Sequence, residues 1–293
     1  MWFIKRNFIS FIEEEKFKLL KEVFKKDKII EKETKEFEKK EELDSFVKEE
    51  LDEIPQTYIS TITFTLNQGV MDSCSKQKYL EHEIDYDNVK IVCLGNYSFY
   101  ISLFDLQKIR KDYPYLDFIY PPFAIIDYLA KEKENIFYVL IFEKYLVVLA
   151  YEKWIPIFSD IIETKESEEN LENVEDIEDI EDIEEIDTID DLSEDITEDI
   201  DAIDEEELEE KLEEIENKAT GIEAKILQFI QDSLKEYYAN YSSDFIEKII
   251  LFDTIGIDEK IANIIEEEVL IECTYKKIDA LEIINRISRE SVL

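Results

Sequence analysis

Glycine is nearly absent from this chain. Its 293 residues include only Gly69, Gly95, Gly221 and Gly256, and no two are neighbours. An ordinary content of about 7% would supply about 20. Folds that hold nucleotides through their backbone place glycine where the chain must approach a phosphate or adopt a positive φ. No segment here can form a glycine-rich loop of that kind. The shortage argues against nucleotide chemistry before any fold is considered.

The length allows one large domain or two medium ones, and 45% apolar residues are enough for a substantial core. The net charge of −41 is uneven. Residues 160–217 hold 31 Asp and Glu against Lys165 and Lys211, so they carry −29 of it and leave −12 to the rest. Such a balance opposes nucleic acid and anionic lipid surfaces and favours basic protein partners. The three cysteines, Cys74, Cys93 and Cys273, have no metal-ligand spacing and read as thiols in a reducing compartment, with Cys93 and Cys273 in apolar, core-like surroundings. Met1-Trp2-Phe3-Ile4 precedes Lys5-Arg6, the wrong order for a signal peptide. The apolar stretch 136–158 is broken by Glu143-Lys144 and Glu152-Lys153, so it is no membrane span. These features predict a soluble cytoplasmic protein.

A short apolar run predicts a strand at Phe8–Ile12, Phe17–Phe24 resumes as an extended segment, and Lys28–Phe37, polar at alternate positions, reads as a third strand, with a polar turn at Glu13-Glu14-Glu15-Lys16. Leu43, Phe46, Val47, Leu51 and Ile54 share a helical face that Pro55 ends, and Tyr58–Leu66 returns as a strand. Strands at Val89–Leu94 and Tyr97–Leu103, a helix through Leu106 and Ile109, and a strand at Leu116–Tyr120 follow. Pro121-Pro122 reads as a strand-to-helix turn before a helix from Phe123 to Leu129. Ile136–Phe142, Tyr145–Tyr151 and Trp154–Ile162 form a meander with turns at Glu143-Lys144 and Glu152-Lys153. In the acidic tract, Ile177, Ile180, Ile183, Ile186, Ile189 and Leu192 recur every third residue, which drifts around a 3.6-residue helix and makes no stable face. That part predicts disorder, with those six residues as candidate partner-binding positions, and from Leu192 onward the wider spacing through Ile196, Ile200, Ile203, Leu208, Leu212 and Ile215 predicts a helix joining the C-terminal unit. The C-terminal part predicts a long helix ending at Tyr237-Tyr238, a strand at Phe245–Phe252, a helix capped by Asp258, a strand at Leu270–Tyr275 and a last helix through Leu281, Ile284 and Ile287.

This order resembles the α/β, actin-like two-lobed fold, built from two ribonuclease-H-like units. The C-terminal helix, the strand Ile246–Phe252, the loop Asp253-Thr254-Ile255-Gly256 and the following helix and strand resemble the end of PilM. The cytoplasmic domain of GspL shares that layout. The resemblance implies a first unit over 1–135 with an inserted subdomain at about 67–120, a second over 136–293, and the acidic insertion at 163–215. ATP-binding relatives of PilM carry an Asp-x-Gly-type turn in the first hairpin. Here that turn is Glu13-Glu14-Glu15-Lys16, the second phosphate loop is Glu143-Lys144, and the adenosine loop shrinks to Asp253-Thr254-Ile255-Gly256. Carboxylates in place of glycine repel phosphate, so no nucleotide cofactor is expected.

The lone His82, flanked by Glu81 and Glu83, has no second histidine or nearby cysteine to complete a metal or catalytic site and reads as a solvated loop residue. No catalytic residue, cofactor or metal is expected. The resemblance implies a non-catalytic cytoplasmic scaffold at the inner face of the inner membrane. Its partners would be the tail of a PilN-like membrane protein and other components, such as an assembly ATPase, of a type IV pilus, type II secretion or flagellar-motor assembly, with multimers in a ring. Two alternatives stay open at this point: an acidic adaptor acting on a basic partner through its Asp/Glu tract, and a degenerate actin-like ATPase.

Overall fold

Residues 5–26, 28–164, 221–241 and 244–292 are described in the computed structural model. The first sheet opens with the antiparallel meander β1 (Lys5–Glu13), β2 (Phe17–Lys25) and β3 (Lys28–Phe37). Helix α1 (Lys40–Glu53) buries Leu43 and Val47 and ends at the C-cap Ile54, the residue before Pro55, whose ring cannot continue a helix. It leads into β4 (Thr57–Ile62), parallel to β1. A short fifth strand, β8 (Phe118–Tyr120), is parallel to β4, and the order is β3-β2-β1-β4-β8.

The second sheet repeats the plan. The meander β9 (Ile136–Ile141), β10 (Tyr145–Glu152) and β11 (Ile155–Glu163) is followed by helix α5 (Gly221–Asn240), strand β12 (Lys248–Asp253), helix α6 (Ile261–Val269) and strand β13 (Glu272–Lys277). β12 lies parallel to β9, and β13 to β12. The order β11-β10-β9-β12-β13 matches the first sheet strand for strand. Two such sheets are the duplicated ribonuclease-H-like topology of the actin-like fold expected from the sequence.

Sequence pattern explains which strands are central. Every residue of β9 is buried, as are the six inner residues of β10, so both strands are covered on both faces and read as continuous apolar runs. The edge strand β3 instead alternates Lys and Glu, which protects an exposed edge from pairing with another chain.

Between β4 and β8 the chain builds a three-stranded sheet, β5 (Gln68–Met71), β6 (Val89–Leu94) and β7 (Tyr97–Ser102), in the order β5-β7-β6. It carries α2 (Lys76–Glu81), a 3-10 turn at Tyr86–Asn88 and α3 (Leu103–Asp112). β5 and α2 were not expected. The predicted strand from Tyr58 stops at Ile62 because Thr63 already bonds the end of β8, its N–H donating to Tyr120 O, while the buried Gln68 carboxamide takes Thr63 O. Similarly, Phe245 is 80% exposed and the strand starts only at Lys248. Leu270 is the left-handed C-cap of α6 rather than a strand residue. Asp258 acts just ahead of that helix, its carboxylate accepting the Lys260 N–H at 3.0 Å.

The helices α4 (Phe123–Leu129) and α7 (Ala280–Val292) complete the described residues. Although it follows the second sheet in sequence, α7 packs on β1, β2 and β4 of the first. Its anchor is polar: buried Asn285 accepts from Ser10 Oγ, which also shares a hydrogen bond with Ser60 Oγ at 2.7 Å. Buried polar groups of this kind are stable only when paired, so the network fixes where the helix sits.

Candidate functional site

The turns that carry glycine in a nucleotide-binding actin-like protein come together here, and carboxylates fill them. The β1–β2 turn places Glu14 inside the molecule, with its side chain 3% exposed. One carboxylate oxygen accepts the N–H of Glu143 at 2.6 Å and that of Lys144 at 3.4 Å, in the β9–β10 turn. The other accepts Lys18 Nζ at 3.2 Å, and the same ammonium reaches Glu143 at 3.1 Å. Burial works against the charge on Lys18, but the attraction of Glu14 and the hydrogen bonds to both carboxylates outweigh it and hold the ammonium above the ordinary lysine range. A buried carboxylate needs such partners, because an unpaired buried charge is costly.

The loop after β12 is closed in the same manner. Asp253 is fully buried, and its two oxygens accept the N–H groups of Ile255, Gly256 and Ile257 at 2.9–3.1 Å. The Tyr275 hydroxyl donates to it as well. Burial, then this bond to a carboxylate, pushes the Tyr275 phenol up to about 12. Gly256 has φ +85°, and Lys277 Nζ lies 3.3 Å from where a Cβ would stand. Here glycine serves the turn and leaves room for a lysine. In both loops, backbone donors that could face an outside anion are taken by the chain's own carboxylates. From sequence alone these acidic residues imply repulsion of phosphate. Occupancy is not visible there, because it depends on Glu14 turning inward toward a turn 129 residues away.

A second feature lies where β8 meets the three-stranded sheet. A cavity of about 260 Å³ is lined by Val92 of β6, Phe99 and Ile101 of β7, Leu106 of α3, and residues 116–121 on and around β8. Among the described residues, β8 is hydrogen-bonded along one edge only, to β4. Lys90 and Arg110 also line the cavity. Gln68, 6% exposed, borders it, and its Oε1 has no hydrogen-bond donor among the described residues.

The other residues singled out from the sequence fall apart. His82 is exposed at the end of α2 and stacks on Tyr241, with ring centroids 6.3 Å apart. No group of three or more metal-ligating side chains occurs among the described residues. Pro121-Pro122 forms the expected turn into α4 through trans peptide bonds. Ile177, Ile180, Ile183, Ile186, Ile189 and Leu192 lie outside the described residues.

The cysteine reading needs correction. Cys74 and Cys93 form a disulfide across 19 residues, with Cα atoms 5.9 Å apart. Cys93 is exposed on β6 rather than in a core, and Cys273 is half-buried on β13. Sequence separation hid the pair because the β5–β6 connection folds back. The cysteines therefore no longer argue for a reducing compartment.

Residues 137–292, more than half of the chain, match the model of a family described as a domain of unknown function, DUF8341. The chain belongs to that family. Residues 4–127 match a second domain of unknown function, DUF8569. No curated protein matches. Among solved structures, the chain is similar to a PilM-PilN type IV pilus biogenesis complex (12% identity, 94% of this chain and 89% of that one, TM-score 0.48). It is similar to a Bacteroides thetaiotaomicron protein with an actin-like ATPase fold and unknown function (10% identity, 98% and 95% covered, TM-score 0.47). It is also similar to the cytoplasmic domain of EpsL, an inner-membrane component of the type II secretion system of Vibrio cholerae (7% identity, 97% and 95% covered, TM-score 0.43). These likenesses are weak, and the basis for the fold is the strand order itself. No described helix is long and apolar enough to cross a membrane.

Proposed function

We propose that this DUF8341 member is a non-catalytic scaffold that holds an extended peptide in the cavity beside β8. The peptide would be the cytoplasmic tail of a PilN-like inner-membrane protein. The scaffold would then work at the inner face of the inner membrane, in a pilus, secretion or flagellar-motor assembly, and join the membrane complex to components such as an assembly ATPase.

The observation that carries this reading is β8. Among the described residues it is an edge strand paired on one side only, flanked by an open, largely apolar cavity. A peptide laid along such an edge gains main-chain hydrogen bonds, and its alternate side chains enter the pocket. No catalytic group is needed. The filled loops support the same reading, because Glu14 and Asp253 use the backbone donors that an ATPase of this fold would turn to phosphate.

The test is direct binding of the purified full chain to short N-terminal tails of single-span membrane proteins from the same cell, by calorimetry. Saturable binding that Ile101→Trp abolishes by filling the cavity is expected. Failure of every tail to bind would sink the proposal.

A further inference from the structure

The cavity beside β8 has a charge unlike that of the chain around it. Lys90 of β6 and Arg110 of α3 both line it. Outside residues 160–217 the chain has 44 acidic residues against 32 Lys and Arg, so carboxylates still outnumber cations. Lysines elsewhere use them: Lys18, Lys21, Lys32 and Lys153 each touch two. Neither Lys90 nor Arg110 makes an ion pair among the described residues. The one carboxylate lining the cavity belongs to Asp117, and it is committed to the Ile59 N–H at 2.8 Å. What the cavity still offers is an apolar floor and two cations with no ion-pair partner among the described residues.

We infer that the segment seated there is acidic as well as apolar, its carboxylates pairing with Lys90 and Arg110 while β-branched or aromatic side chains pack on Val92, Ile101 and Phe118. This rests on the reading of the cavity as a peptide site and adds the chemistry of the partner. It runs against the net charge of the chain, which favours basic partners at long range. The two effects act on different scales. The field of the whole chain is screened over about 8 Å at physiological salt, whereas the ion pairs are made in contact. Opposite charges at the rim of an interface select the partner more than they add affinity. Arg110 has the stronger role, because its planar guanidinium can hold a carboxylate through two parallel hydrogen bonds.

The experiment is selection from a displayed library of ten-residue peptides against the full chain, the Lys90→Glu/Arg110→Glu double variant, Arg110→Gln and Ile101→Trp. Both cations are exposed, so their replacement leaves the core intact, and circular dichroism checks this. The native chain is expected to enrich peptides with Asp or Glu between apolar residues. The charge-reversed variant should lose these by roughly tenfold and enrich Lys or Arg at the same places, with Arg110→Gln in between. If the native and charge-reversed chains select the same peptides, or the native chain selects basic or neutral ones that Ile101→Trp releases, the charge inference is wrong and the peptide site stands. If no peptide is enriched, or selected peptides still bind Ile101→Trp, the site itself is wrong and the inference falls with it.

Discussion

The carboxylate of Glu14 accepts the backbone N–H of Glu143 at 2.6 Å, joining the first hairpin turn of one sheet to the first hairpin turn of the other. Both turns are β-meander corners, and their meeting follows from two sheets with the same strand order. A side chain from one turn thus takes the place, at the other, that an external anion would need. Glu14→Ala should therefore destabilise the protein. Charge-assisted hydrogen bonds contribute roughly 1.5–3 kcal/mol, and Lys18 would also lose a partner. Glu14→Gln keeps an acceptor and should lose less. Urea midpoints measure both, and an alanine variant as stable as the native chain would contradict this role.

Lys21 and Glu50 form a second buried pair, at 2.7 Å, with side chains 6% and 8% exposed. Asn7 Nδ2 donates to the same carboxylate at 3.0 Å, tying β1, β2 and α1 together. Glu50→Ala leaves a buried ammonium with only the half-exposed Glu31. The expected loss is about 3 kcal/mol, the lower end for breaking a buried pair. Lys21→Met with Glu50→Leu should recover most of it, because an apolar pair needs no compensation. Equal losses in the single and double variants would contradict the buried-charge explanation.

Much of this fold was legible because its strands are long apolar runs bounded by charged turns. β3 matched residue for residue and the Glu143-Lys144 turn fell where expected, while the next turn is Lys153-Trp154, one residue later than expected, because Glu152 still pairs with Ile155 at the end of β10. The three-stranded sheet was only half visible: β5 is four residues long and α2 six, too short for periodicity to show. The site was less legible still. From sequence Glu14 is one residue of a polar turn, and only the fold shows it buried. The cavity beside β8 draws on residues from 63 to 121, and nothing in local sequence marks them as neighbours.

The disulfide predicts a thiol count. Alkylation of the native chain in denaturant without reductant should modify Cys273 alone, and all three cysteines after reduction. Cys93→Ser should lower stability by about 3 kcal/mol on the loop-closure model. Mass spectrometry showing three alkylated cysteines without reductant would contradict the pairing.

Alkaline pH should unfold the protein. Burial raises the phenols of Tyr100 and Tyr138 to about 12, and burial with the bond to Asp253 does the same for Tyr275. A folded pKa above the unfolded value of about 10 favours the protonated form in the fold. The stabilisation is thus complete below about pH 10 and is lost as pH rises toward 12. Lys18, also raised, acts in the same direction. Denaturant midpoints should be flat from pH 7 to about 9.5 and then fall, together with a cooperative rise in tyrosinate absorbance. Independent, gradual ionisation with no loss of stability would contradict it.

Glu14 and Asp253 take up the backbone donors that an ATPase of this fold would turn to phosphate. Thermal unfolding of the full chain, titrated with magnesium and ATP, reads whether a nucleotide still enters. A ligand at a hundred times its dissociation constant would stabilise the fold by about 2.7 kcal/mol, a shift of several degrees for a chain of this size. With those donors taken, no saturable shift is expected up to millimolar ATP. A saturable rise in the unfolding temperature would contradict it.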